Sequence, residues 1–115
     1  MTQSDFLSEY DKLSDKATLI VRSKNADYSK TADAFANFRL VEKLGITDTA
    51  SGVLVRMCDK FSRIANLLKQ EGKVKDESIT DTLIDLANYS LILAVYLENK
   101  EDDVFSKKDN RTIGK

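Results

Sequence analysis

The sequence predicts an all-α domain arranged as a four-helix bundle, and three observations lead there. No proline occurs in 115 residues, and glycine stands only at positions 45, 52, 72 and 114, so little breaks a helical segment. Apolar residues recur at intervals of three and four over long stretches, the spacing of one helical face. No alternating apolar run joined by a tight Asn-Gly or Asp-Gly turn signals a hairpin.

Each helix has its own local signals. Ser4 is the expected N-cap of helix one, and Phe6, Tyr10, Leu13, Ala17 and Ile20 follow at helical spacing. The helix is read from about Asp5 to Arg22; Ser23 to Ser29 either continues it or turns. Helix two covers about Thr31 to Lys43 and stops at Gly45, a natural residue for the left-handed end of a helix. Thr47 or Asp48 caps helix three, which runs to about Gln70 with Gly72 beyond. Its stripe is Leu54, Met57, Cys58, Phe61, Ile64, Ala65 and Leu68. The stretch Glu71 to Asp76 is short and polar, so helices three and four should run antiparallel. Ser78 with Asp81 resembles a capping box for helix four, from about Ser78 to Glu98. The domain is thus read as 1–98. Residues 99–115 are charged and aperiodic, so a mobile tail is expected, its Lys107, Lys108, Arg111 and Lys115 in solvent.

Composition removes several functions. Lys plus Arg number 18 against 19 for Asp plus Glu, a net charge of −1. That gives no global basic field, so long nucleic acid is not an expected partner. The sole cysteine, Cys58, permits no intramolecular disulfide and sits on the apolar stripe, where it reads as a small core residue. With no histidine, Ser-His triads, histidine general bases and His-ligated zinc are excluded. Met1 to Glu9 lacks the basic and apolar parts of a signal peptide. No apolar run approaches the ~20 residues needed to span a bilayer. A soluble cytoplasmic protein without membrane contact is expected.

Helix four is the informative element. Leu83, Ile84, Leu86, Ala87, Leu91, Ile92, Leu93, Ala94, Val95 and Leu97 nearly encircle it, and such a helix should be central and buried. Yet Glu77, Asp81, Asp85 and Asn88 follow one another along a single arc roughly 80° wide at 100° per residue. Stacked carboxylates repel, and burying them unpaired would cost several kcal/mol each. A hard divalent cation resolves both penalties; so do basic residues from a neighbouring helix. Helix three offers both kinds of group, because Arg56, Asp59 and Arg63 share a face with Lys60 beside them. Without histidine, Mg²⁺ or Mn²⁺ fits a metal reading better than zinc. Upstream, Tyr28 and Phe38 are candidates to stack on a base and Asn37 to bond its edge, or these aromatics are core.

Together these segments carry a family resemblance. Asp59-Lys60-x-x-Arg63, followed by Asp76-Glu77-Ser78-x-x-Asp81-Thr82-Leu83-x-Asp85-Leu86-Ala87-Asn88-Tyr89, resembles the phage and bacterial nucleotide modification associated domain. Lys24 to Tyr28 and Phe35 to Phe38 match the earlier segments of that pattern, so the likeness runs from about Lys24 to Leu97. That family is in turn similar to the all-α NTP pyrophosphohydrolases, the MazG and dimeric dUTPase group. The resemblance implies a Mg²⁺ (or Mn²⁺) site on Asp59, Glu77, Asp81 and Asp85, the same four being catalytic. Lys24, Arg56, Lys60 and Arg63 would then face phosphate, and Tyr28, Asn37, Phe38, Asn88 and Tyr89 the sugar or base. It also implies a homodimer or homotetramer, for which Val41, Leu44, Tyr96 and Leu97 are candidate apolar surface. The first helix departs from the hydrolase pattern, since positions 55 and 56 are Val and Arg rather than acids. Three functions stay open: a Mg²⁺-dependent pyrophosphohydrolase of free nucleotides, a module that captures a nucleotide (a modified or defence-signalling one included), and an ion-paired structural bundle.

Overall fold

A computed structural model describes residues 1–27, 33–70, 76–103 and 105, with the side chains of 26, 27 and 76–78 outside the description. Four helices form: α1 (Gln3–Asp27), α2 (Ala36–Lys43), α3 (Thr49–Lys69) and α4 (Asp76–Glu98). No strand occurs among the described residues.

The ends of these helices follow from side chains that satisfy free backbone groups. At α1 the cap is Thr2 rather than Ser4: Thr2 Oγ1 accepts the Asp5 N–H at 3.0 Å, and Asp5 Oδ2 accepts the Thr2 N–H at 3.5 Å. This reciprocal pair is a capping box with Asp in place of Glu. α1 then runs on past Arg22 to Asp27. α2 starts at Ala36, later than Thr31, because Asp33 Oδ1 takes the Phe35 N–H at 3.0 Å and holds a turn there. Positions 31 and 32 lie outside the described residues. Gly45, at φ 76°, ends the segment in the left-handed conformation. Asp48, not Thr47, caps α3: its carboxylate accepts the Ser51 N–H at 2.7 Å and the Ser51 hydroxyl at 2.9 Å. Those two bonds, the backbone one first, hold the Asp48 carboxyl below its ordinary range. α4 begins at Asp76, so Ser78 lies inside its first turn instead of capping it.

α3 and α4 form the main pair. Lys60 on α3 meets Asp85 on α4 at 3.2 Å, each equally far from the 70–75 connection, so the two helices run antiparallel. α2 packs on α3. Its last residues are tied to the start of α3 by Glu42 Oε1, which accepts both the N–H (2.8 Å) and the hydroxyl (3.1 Å) of fully buried Thr49. Gly52 permits this approach, since a Cβ there would lie 2.6 Å from Val41 Cγ2. Gly52→Ala should therefore cost about 1–3 kcal/mol despite its better helix propensity. Val41→Ala in the same chain should restore most of that loss in a denaturant titration, and additive effects would show that the two residues do not meet.

α1 reaches α4 only through its second half, where Ala17, Ile20 and Val21 are half-buried while Phe6, Leu7, Tyr10 and Leu13 remain exposed. The apolar core is correspondingly thin. Val53, Ile84 and Tyr96 are its buried apolar residues among those described, against seventeen exposed large ones. α4 is thus not the enclosed centre its composition suggests, because Leu83, Leu91, Val95 and Leu97 are exposed. Cys58, expected in the core, is exposed too. No helix among the described residues is long and apolar enough to cross a membrane.

A buried arginine organises the other end of the molecule. Arg39 is 3% exposed; its Nε donates to Asp33 Oδ2 at 2.6 Å, and its terminal nitrogen donates to Asp103. The rings of Phe35, Tyr96 and Phe105 surround the guanidinium at 5.6–5.8 Å. Burial alone would lower the Arg39 pKa, but the two carboxylates outweigh it and raise the value. Tyr96, expected as open surface, is buried in this cluster. Packing also runs past Glu98, since Asp103 and Phe105 fold back onto Arg39.

Candidate functional site

The chemistry-bearing residues lie along one side of the α3–α4 pair, a consequence of their spacing. Arg56, Asp59 and Arg63 repeat every three or four residues on α3, with Lys60 beside them, as Asp81, Asp85 and Asn88 do on α4. Antiparallel packing turns these faces to the same side, the one flanked by α1 and α2.

Two ion pairs hold the α4 carboxylates. Lys60 Nζ meets Asp85 Oδ2 at 3.2 Å with both side chains about one-third exposed (28% and 31%). Lys16 of α1 reaches Asp81 Oδ1, also at 3.2 Å, in a more open position. Lys16 has no signal in the sequence, because its partner is remote along the chain and α1 shows no charge pattern that selects it. Asn88 is 7% exposed and donates from Nδ2 to the Ala17 carbonyl at 3.2 Å, pinning α1 to α4.

Beside the Lys60–Asp85 pair, three helices contribute to one stack. The Arg56 guanidinium lies 4.9 Å from the centre of the Phe38 ring. Phe38 in turn meets Tyr89 edge to face at 6.3 Å between centroids. The structure thus brings Phe38, Arg56, Lys60, Asp85 and Tyr89 together. Lys24, Asn37, Asp59 and Arg63 are exposed. Glu77 belongs to α4, but its side chain falls outside the described ones, and Tyr28 lies outside the described residues altogether. Arg39, buried in the cluster at the far end of α2, is the polar residue that sequence reasoning missed. Its signal was only Asp33 six positions earlier.

No group of three His, Cys, Asp or Glu side chains converges among the described residues, and Asp81 and Asp85 are each met by a lysine. What the arrangement does offer is anion recognition: Lys60, Arg56 and Arg63 are donors at or near the surface, next to aromatic edges.

The fold and this constellation define an all-α domain with a charged, aromatic-flanked groove along a helical pair. Over residues 24–97 the chain matches the family described as nucleotide modification associated domain 1, and it belongs to that family. The matched span begins in the last turns of α1 and closes at the end of α4, so it contains every residue of the groove except Lys16. Comparison with curated proteins and with solved structures finds no match.

Proposed function

We propose that this chain binds a free nucleotide along the charged side of α3 and α4. The observation that carries the reading is the Arg56–Phe38–Tyr89 stack set against the Lys60–Asp85 pair. Phosphate needs cationic donors, and Lys60, Arg56 and Arg63 supply them from one helix face. A base needs an aromatic edge or face, and Phe38 and Tyr89 lie beside those donors. Asn37, exposed next to Phe38 on α2, is the proposed contact to the edge of a base. Family membership supports a nucleotide-related role.

A second reading is Mg²⁺-dependent cleavage of a nucleoside triphosphate to monophosphate and pyrophosphate, as in the all-α pyrophosphohydrolases that the motifs resemble. The spacing of Asp81 and Asp85 on one face of α4 favours it. It requires Lys16 and Lys60 to release those carboxylates.

The experiment incubates purified protein with canonical, modified and cyclic nucleotides, with and without Mg²⁺. It combines equilibrium dialysis with chromatography of the products. Retention of an unchanged nucleotide, lost in Arg56→Ala, supports capture. Appearance of monophosphate and pyrophosphate only with Mg²⁺ supports turnover. Neither retention nor product across the panel would remove both readings and leave an ion-paired bundle.

A further inference from the structure

Arg39 is gripped by two copies of one short sequence pattern, Asp33-Ala34-Phe35 and Asp103-Val104-Phe105. In each copy one carboxylate oxygen accepts the N–H of the phenylalanine two residues on, at 3.0 Å. The other oxygen accepts from the Arg39 guanidinium. Each phenylalanine ring then lies against that guanidinium, at 5.7 Å for Phe35 and 5.8 Å for Phe105. The planar fork of arginine can serve two carboxylates while its faces meet rings. The copies differ in where they stand. The first leads directly into α2 and lies within the family's span of 24–97, whereas the second follows α4 and lies beyond that span. Asp103 and Phe105 therefore form a clasp, added after the family domain, that closes on an arginine carried by α2.

We propose that Asp103 and Phe105 are positioning residues for the groove, acting through α2 on Phe38. α2 has only eight residues, about 12 Å of helix, and a helix that short depends on its packing. Its C-terminal end is tied to α3 by Glu42 on Thr49. Among the described elements its backbone packs on α3 and not on α4. Its hold on α4 is made by side chains: Phe35 and Arg39 against Tyr96, and Phe38 against Tyr89. Phe38 and Arg39 are consecutive, so they leave the helix about 100° apart. Arg39 enters the clasp, and Phe38 enters the stack with Arg56 and Tyr89. The grip of Asp33 on Arg39 is internal to the segment that leads into α2, so it fixes that segment to nothing else. Asp103 and Phe105 join the same arginine to the chain leaving α4. Without them α2 keeps its Glu42 tie and turns about it, which carries Phe38 away from Arg56 and Tyr89. Those two partners stay in place, because Lys60 and Asp85 join α3 to α4 without α2. Resting on the nucleotide reading above, the clasp decides whether the aromatic side of the groove is formed for a base.

A para-fluorophenylalanine in place of Phe38, in the full chain and without nucleotide, reports the stack by fluorine NMR. Arg56→Ala and Tyr89→Leu should each move its resonance, which marks the unstacked ring. Phe105→Ala should move it the same way, while Phe105→Tyr, which keeps the ring, should leave it in place. Ile20→Ala loosens the contact of α1 with α4 instead, so it should lower Tm without moving the resonance. If Phe105→Ala fails to fold, Asp103→Asn decides, since the amide keeps the volume and loses the charge that holds Arg39. In equilibrium dialysis, a nucleotide retained by the native chain should bind about fivefold or more weakly to the folded clasp variant, the loss expected of one aromatic contact to a base. A resonance that stays at its native position in the clasp variants, or that moves equally in Ile20→Ala, overturns the proposal. So does unchanged affinity in a chain whose resonance has moved. A native chain that retains no nucleotide removes the nucleotide reading instead, and the fluorine shift then still decides whether the clasp positions Phe38.

Discussion

Arg39→Met should be the most damaging single substitution in the chain, lowering stability by about 3–5 kcal/mol. The side chain is almost wholly enclosed, so its removal takes a buried cation from Asp33 and Asp103, each only about one-tenth exposed (10% and 12%). Loss of the guanidinium that both carboxylates engage in a low-dielectric pocket accounts for most of the cost. Methionine fills much of the volume among Phe35, Tyr96 and Phe105, so cavity formation contributes little and the test isolates charge. For a domain of this size the loss corresponds to a fall in Tm of about 15 °C or more. Arg39→Lys should recover only part of it, because one ammonium lacks the fork that serves Asp33 and Asp103 at once. Asp103→Asn should fall between the native chain and Arg39→Met. Thermal unfolding followed by circular dichroism checks the order, and amide exchange should quicken first at Asp103 and Phe105. An Arg39→Met chain that melts within a degree or two of the native one would show that the cluster is not a structural tie.

The parts of this architecture legible in sequence are those fixed by short-range chemistry. Asp48 caps α3 because its carboxylate needs only the backbone three residues ahead, and Gly45 stops the preceding segment through its own φ. The antiparallel course of α3 and α4 follows from a connection too short for anything else. Family motifs gave the same span, 24–97, that the family match covers. What stayed illegible depends on residues far apart in the chain. Asp33, whose turn with Phe35 delays the start of α2, is also engaged by Arg39, and Arg39 is held in turn by Asp103 across 64 positions. Asp81 finds Lys16 across 65 positions, and Asn88 finds the Ala17 carbonyl; neither leaves a periodic trace. Periodicity also states how much of α4 is apolar without stating what covers it. A helix apolar all round reads as buried within one chain, yet Leu83, Leu91, Val95 and Leu97 are exposed.

Asp85→Asn separates the two functional readings because they demand opposite responses. Its carboxylate lies 3.2 Å from Lys60 Nζ, so in the native chain the lysine is partly neutralised. If the groove only captures a nucleotide, that carboxylate competes with phosphate. The amide should then free Lys60 and tighten binding by about three- to tenfold, which is roughly 1 kcal/mol of partly screened electrostatics. If the groove turns nucleotides over, the carboxylate is part of the machinery, and the rate should fall by about a hundredfold or more. The fold should survive in either case. Both ion pairs are partly open to water, so breaking one costs about 0–1 kcal/mol, and the Lys60 ammonium can swing to solvent on its flexible stem. Asp81→Asn should be similarly mild for stability, its pair with Lys16 being the more exposed of the two. Binding and product formation measured on the same Asp85→Asn preparation therefore have opposite expected signs. Unfolding of both variants would instead identify the aspartates as structural partners, and neither nucleotide reading would then draw support from them.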